Sequence, residues 1–319
     1  MSKILVVIVA VFVLYFGFSG PIIEEIQGQP TGEPYLLVLG VAQDGGVPQA
    51  GTRIHRGWDE AACKKHASCL AIVDPAAKKR WMIDCTPDFR EQLHMLDVIE
   101  PVESKPGLDG IFISHAHIGH YTGLMHLGLE VMGACEVPVY AMPRMSSFLA
   151  QNGPWSQLIN YKNIVLHELH DGLGVRLTTN LIVTPLLVPH RQEYSEVIGF
   201  VIQGPRRTVL YISDIDSWEE WEEMGMHIED IVREVDVAYV DGTFYADGEI
   251  PGRDMSSFPH PLITHTMNKL GALSANQRSK VRFIHLNHTN PAVLADSEAR
   301  RIIEKNHFRV AKESERIDL

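Results

Sequence analysis

Four apolar runs in this chain each end on a residue that can bind a metal, and this pattern constrains the fold more than any other feature. GIFIS (110–114) leads into His115, LLVP (186–189) into His190, VLYIS (209–213) into Asp214 and VRFI (281–284) into His285. Short apolar runs bounded by turn signals read as buried strands. The first run continues into a dense group, His115-Ala-His117-Ile-Gly-His120, ahead of Tyr121-Thr122-Gly123. Alternate positions 115 and 117 point the same way at a strand end, and the following turn can return His120 to them. Imidazoles gathered this densely lose hydration free energy unless hydrogen bonds or a metal satisfy them. They suit Zn, Fe, Mn and related cations. The plain alternative is a polar loop with unrelated histidines.

Further strand signals lie at 35–43, 69–74, 80–85, 138–142, 163–169, 175–179, 180–189, 197–202 and 236–244, with PAAKK turning a hairpin between the second and third. Residues 216–235 predict one amphipathic helix, since Trp218, Trp221, Met224, Ile228, Ile231 and Val235 recur at spacings of three and four. A last helix is expected near Pro291, with Asp296, Glu298, Arg300 and Arg301 on its wetter side. Many strands first, then mixed strands and helices, suit two packed sheets with helices outside better than a strict βαβ repeat. No GxGxxG in the right context, GxxxxGK[ST] or GxSxG is present, which disfavours a nucleotide loop or an acyl-serine nucleophile.

Lys3 precedes the apolar run ILVVIVAVFVLYFGF (4–18), which is followed by Ser19, Gly20 and Pro21. Residues 1–20 therefore read as a secretory signal peptide or an amino-terminal membrane anchor, with a buried strand or helix as the alternative. Residues 21–34 read as a linker and 35–319 as the domain. Both leading readings place the body outside the cytoplasm, periplasmic or extracellular, and the anchor would bring 4–18 into contact with a membrane. A formal charge of −12 over 319 residues disfavours nucleic acid as a partner and leaves a small-molecule substrate as the expectation. The four cysteines cannot form a dense disulfide framework. Cys63 and Cys69 could pair, Cys63 with His66 could join a structural metal, or both could be free; Cys85 and Cys135 read as core residues.

LGVAQDGGVPQ, IDCTPDFREQL, HAHIGHYTGL, DGTF and FIHLNHTNP, taken in order, resemble the metallo-β-lactamase superfamily. GGVPQ, CTPDFR, DGTF and LNHTNP narrow the resemblance to the pyrroloquinoline quinone biosynthesis protein B branch, over roughly residues 35–295. The resemblance implies an αββα sandwich, two mixed sheets packed face to face with outer helices and a metal centre at one edge. Carried over by position, His115, His117 and His190 form a first metal site, Asp214 bridges, and His120 with His285 serve a second. The family pattern is HxHxDH, and Gly119 stands at its aspartate. Glycine supplies no ligand atom, so an aspartate at 119 is expected to strengthen the second position. His288 is a further candidate ligand, or a hydrogen-bonding neighbour. His265 resembles a catalytic histidine of phosphodiesterase relatives, with Asp241 orienting it; the alternative is a loop histidine whose aspartate neighbour stabilises local structure. Asp44 and Asp88, in Gly/Pro-rich turns, read as loop-forming or supporting residues.

The function expected is a metal-dependent hydrolase using one or two Zn ions, with Fe or Mn as alternatives, that activates water against a small ester-like, lactone or phosphodiester substrate. Asp214 would help position the water. Two alternatives are a non-haem iron oxidoreductase or oxygenase related to the quinone-biosynthesis branch, and an exported metal-binding protein without turnover.

Overall fold

The strand runs form two seven-stranded sheets in the computed structural model, which describes residues 32–255 and 258–319. The signal, anchor and most of the linker expected before Gly32 lie outside the described residues. Among the described residues no helix is long and apolar enough to cross a membrane. From edge to edge, the first sheet runs Arg316–Asp318, Tyr35–Gly40, Cys69–Asp74, Lys79–Ile83, Gly110–Phe112, Val137–Ala141 and Ile164–Glu168. The second runs Arg309–Val310, Val281–Ile284, Val237–Asp241, Thr208–Tyr211, Ile198–Gln203, Ile182–Leu187 and Val175–Arg176. Both mix parallel and antiparallel pairs.

Alternation along the strands explains the layering. Leu36, Val38, Leu70, Ile72, Val209 and Tyr211 meet between the sheets. Their neighbours Tyr35, Leu37, Ala71 and Val73 turn instead toward the helices Phe89–Ile99, Pro143–Gln151 and Trp155–Asn160. Leu210 and Ile212 turn toward the opposite helical layer, with Trp218, Trp221, Ile263 and Ile303. Strands buried on both faces read as continuous apolar runs for this reason. The result is an αββα sandwich, as the sequence implied.

Four local expectations are corrected. The helix over 216–235 is two helices, Trp218–Glu223 and Ile228–Glu234, separated by Gly225 at φ +87°, a left-handed conformation that glycine adopts without a Cβ penalty. Arg300 is buried rather than on the wet side, donating from Nε to the Ala292 carbonyl at 3.0 Å. Cys135 is exposed, in the loop before Val137, whereas Cys63, Cys69 and Cys85 are buried; all four are free thiols. His66 pairs with Glu313 rather than with a cysteine.

Candidate metal centre

Parallel pairing aligns the carboxyl ends of several strands, so residues just beyond them gather at one rim. Ser114 and His115 follow the 110–112 strand, Asp84 follows 79–83, Asp214 follows 208–211, and His285 follows 281–284. His190 comes from beyond 182–187 and pairs with Asp216. Asp84, His260 and His285 hold positive φ angles of 67°, 121° and 64°, conformations that carry strain in non-glycine residues and concentrate at functional sites.

Each histidine of the cluster has one ring nitrogen held by the protein and the other turned inward. His120 Nδ1 lies 2.7 Å from Asp84 Oδ2, and Asp84 is itself fixed by the Ser114 backbone N–H at 2.8 Å. His190 Nδ1 lies 2.6 Å from Asp216 Oδ1. His115 Nδ1 meets Ser114 Oγ at 3.0 Å, and His285 Nδ1 meets Thr243 Oγ1 at 3.0 Å. His117 Nε2 pairs with Glu193 at 3.1 Å, leaving Nδ1 facing His190 Nε2 at 3.2 Å. Such partners set the tautomer that leaves the opposite nitrogen as a lone-pair donor.

The inward atoms are what burial makes expensive. His115 Nε2, His120 Nε2, His285 Nε2, Asp214 Oδ2 and Asp44 Oδ1 are buried without a hydrogen-bond partner. His120 Nε2 stands 3.3 Å from Asp214 Oδ2 and 3.4 Å from Asp44 Oδ1, and His285 Nε2 stands 3.5 Å from Asp214 Oδ1. His190 Nε2 lies 3.8 Å from the same Asp214 oxygen. Donors about 2.1 Å from a tetrahedral ion stand about 3.4 Å apart, so these separations suit a shared cation better than mutual hydrogen bonds. Among the described residues, the donor atoms of His115, His117 and His190 fall within 4.8 Å of one another, as do those of Asp44, His120 and His285. Asp214 lies between the two groups, also grouping with His115 and His120, and with His190 and His260.

The electrostatics fit a place for positive charge. Burial pushes His115 and His285 below the ordinary imidazole range, and His117 follows despite Glu193. Burial also opposes charge on His120, but Asp84 and Asp214 outweigh it and hold its pKa well above the usual value. Burial works against ionised Asp214, yet the surrounding imidazoles, His285 and His120 foremost, keep its carboxyl well below the usual range.

Asp241 does not meet His265. His265 lies on the helix Ile263–Lys269, whose Ile263 and Thr266 face inward, which turns His265 to the surface, 3.2 Å from Glu219. Asp241 instead holds His260, Oδ2 to Nδ1 at 2.7 Å, and accepts from the Ile215 and Thr243 backbone N–H groups. Burial opposes protonation of His260, and Asp241 reverses that, raising its pKa. The His260 ring sits 5.2 Å from that of His190 and 6.0 Å from that of His285. Sequence reading missed it, although the signal was present: FPHPL fixes a histidine between two prolines downstream of DGTF. His288 falls outside the donor groups, half-buried, with Nδ1 unpartnered. Asp88 supports a loop, accepting from the Ala67 N–H at 2.8 Å.

Comparisons with known proteins agree with this architecture. A coenzyme PQQ synthesis protein B from Xanthomonas campestris pv. campestris (strain B100) is 25% identical over 311 residues, covering 89% of this chain and 99% of that protein. The crystal structure of Zn(2+)-bound PqqB from Methylobacterium extorquens superposes with a TM-score of 0.73 at 20% identity, over 89% of this chain and all of that one. A diphosphatase from the PhnP family superposes with a TM-score of 0.63 at 19% identity, over 89% and 96% of the two chains. A family profile described as "Beta-lactamase superfamily domain" matches residues 79–289. With that match spanning more than half of its length, the chain belongs to the metallo-β-lactamase superfamily.

Proposed function

We propose that the protein is a metal-dependent hydrolase of a small ester-like or phosphodiester substrate, with zinc as its ion. The observation that carries this reading is the set of buried, unpartnered donor atoms converging on both sides of Asp214. His115 Nε2, His117 Nδ1 and His190 Nε2 would hold one ion, His120 Nε2 and His285 Nε2 a second, with Asp214 between them. Divalent cations, when bound, polarise the electrophilic oxygen and acidify a water. His260, whose Nδ1 is held by Asp241, would donate a proton to the leaving oxygen. The imidazole-rich donor set suits zinc, and the Methylobacterium extorquens PqqB structure is Zn(2+)-bound. Similarity to a diphosphatase supports a substrate cleaved at phosphorus, while the net charge of −12 favours a small substrate over a polyanion.

The test is zinc-loaded full-length protein against bis(p-nitrophenyl) phosphate, p-nitrophenyl acetate and a simple lactone, under argon. Cleavage of at least one, lost in His190→Ala together with bound zinc, is expected. Fully metal-loaded protein inert toward all three would contradict the reading. A second reading has one specific support: Asp44, His120 and His285 form a two-histidine, one-carboxylate set, which also suits Fe(II) oxygen chemistry. Oxygen consumption dependent on Fe(II), without anaerobic hydrolysis, would favour it.

A further inference from the structure

We infer that Asp44, from the loop after the first strand, is the carboxylate ligand of the second metal position, taking over from across the site the role that HxHxDH assigns to residue 119. This rests on the metal-hydrolase reading. The first observation is spatial. A Cβ built on Gly119 would stand 2.0 Å from Asp44 Oδ1, 2.8 Å from its Cγ and 2.5 Å from its Cα. Asp44 therefore occupies the volume that a side chain at 119 would need, and position 119 is glycine because the carboxylate arrives from another loop.

The second observation is chemical. Asp44 Oδ1 is buried without a hydrogen-bond partner, 3.4 Å from His120 Nε2 and 4.0 Å from His285 Nε2, both also unpartnered. Among the described residues its ion-pair partners are these two histidines, with no lysine or arginine. A carboxylate serving only to neutralise His120 would be redundant, because Asp84 already holds that ring at Nδ1.

The third observation is mechanical. The loop is clipped to the His285 segment by two backbone hydrogen bonds, Gln43 N–H to the Leu286 carbonyl and Leu286 N–H to the Val41 carbonyl, each 2.9 Å. A Gln43–Asn287 side-chain bond reinforces them. Asp44 and His285 are thus held in fixed relation, as two ligands of one ion require.

The experiment is zinc titration of full-length wild type, Asp44→Asn and Asp44→Ala against a chromophoric chelator, repeated with Co(II) and read by visible absorption. Wild type is expected to take two equivalents. Both variants should keep the first with unchanged affinity, which also reports that they are folded. The second should weaken at least ~100-fold, beyond the usual loss for a residue that merely supports a ligand, with loss of its Co(II) band. Gly119→Asp in the wild-type background should weaken the second equivalent rather than strengthen it as the family pattern alone implies, because its side chain collides with Asp44. Two full-affinity equivalents in Asp44→Asn would overturn the inference and leave the hydrolase reading standing. A wild type that binds only one equivalent would also overturn it. A wild type that binds none would overturn both.

Discussion

Replacing Asp84 by asparagine tests how the outer partners shape the centre. Asp84 is fully buried at φ +67°, a conformation asparagine also tolerates, and the two side chains are nearly isosteric. Its Oδ1 accepts from the Ser114 N–H at 2.8 Å and its Oδ2 faces His120 Nδ1 at 2.7 Å. An asparagine that keeps its oxygen on Ser114 turns its NH2 toward His120 Nδ1. The ring proton is then driven to Nε2, the atom needed as a lone-pair donor. Flipping the amide restores Nδ1–H but sets two donors, the amide and Ser114 N–H, against each other. Either way, metal binding leaves a buried donor unsatisfied, at about 1–3 kcal/mol, so the affinity of the equivalent held by His120 falls roughly 5- to 150-fold. Loss of the negative charge acts in the same direction. Chelator-competed zinc titration of wild type and Asp84→Asn measures the change, with the His115–His117–His190 equivalent as internal control. Two equivalents both held within twofold of wild type would refute the reasoning.

His260→Ala is expected to lower kcat by about 10²–10⁴ with metal content unchanged, and His265→Ala to leave turnover as it was; the reverse result would exclude the Asp241–His260 pair as proton donor. Trp218, fully buried and donating to Thr266 Oγ1 at 2.9 Å, should cost about 3–5 kcal/mol when cut to alanine, read from urea unfolding. A cost below about 1 kcal/mol would show that this packing layer collapses without penalty. The Glu313 hydrogen bond raises the His66 pKa against the opposing effect of burial. A raised folded pKa stabilises fully below the unfolded value of about 6.5 and loses that contribution as pH rises through the folded value. The Tm gap between wild type and His66→Gln should therefore be larger near pH 6 than near pH 9, and a gap that grows with pH would contradict this sign.

Much of the fold was legible because the signals are local. Continuous apolar runs such as YLLVLG and CLAIVD mark strands buried on both faces, and strand ends such as GIFIS-His115 mark where polar groups emerge. Two features fell outside local reading. Gly225 ends one short helix and the next begins at Ile228, while the apolar spacing of three and four runs through both, so periodicity alone joined them. The centre depends on which loops meet, and nothing near Gly119 announces that Asp44 fills the adjoining space. His260 and His265 are only five residues apart, and helical phase decided between them: Ile263 and Thr266 take the buried face and leave His265 with Glu219.

We propose that this rim holds two ions around Asp214. Anomalous diffraction at the zinc edge, from crystals of full-length protein purified without added metal or chelator and then equilibrated with zinc, tests it directly. Two peaks are expected, one bonded to His115, His117 and His190 and the other to Asp44, His120 and His285, with Asp214 reaching both. A single peak at the rim, zinc absent from the rim, or zinc bound only by surface residues outside it would contradict a two-ion centre.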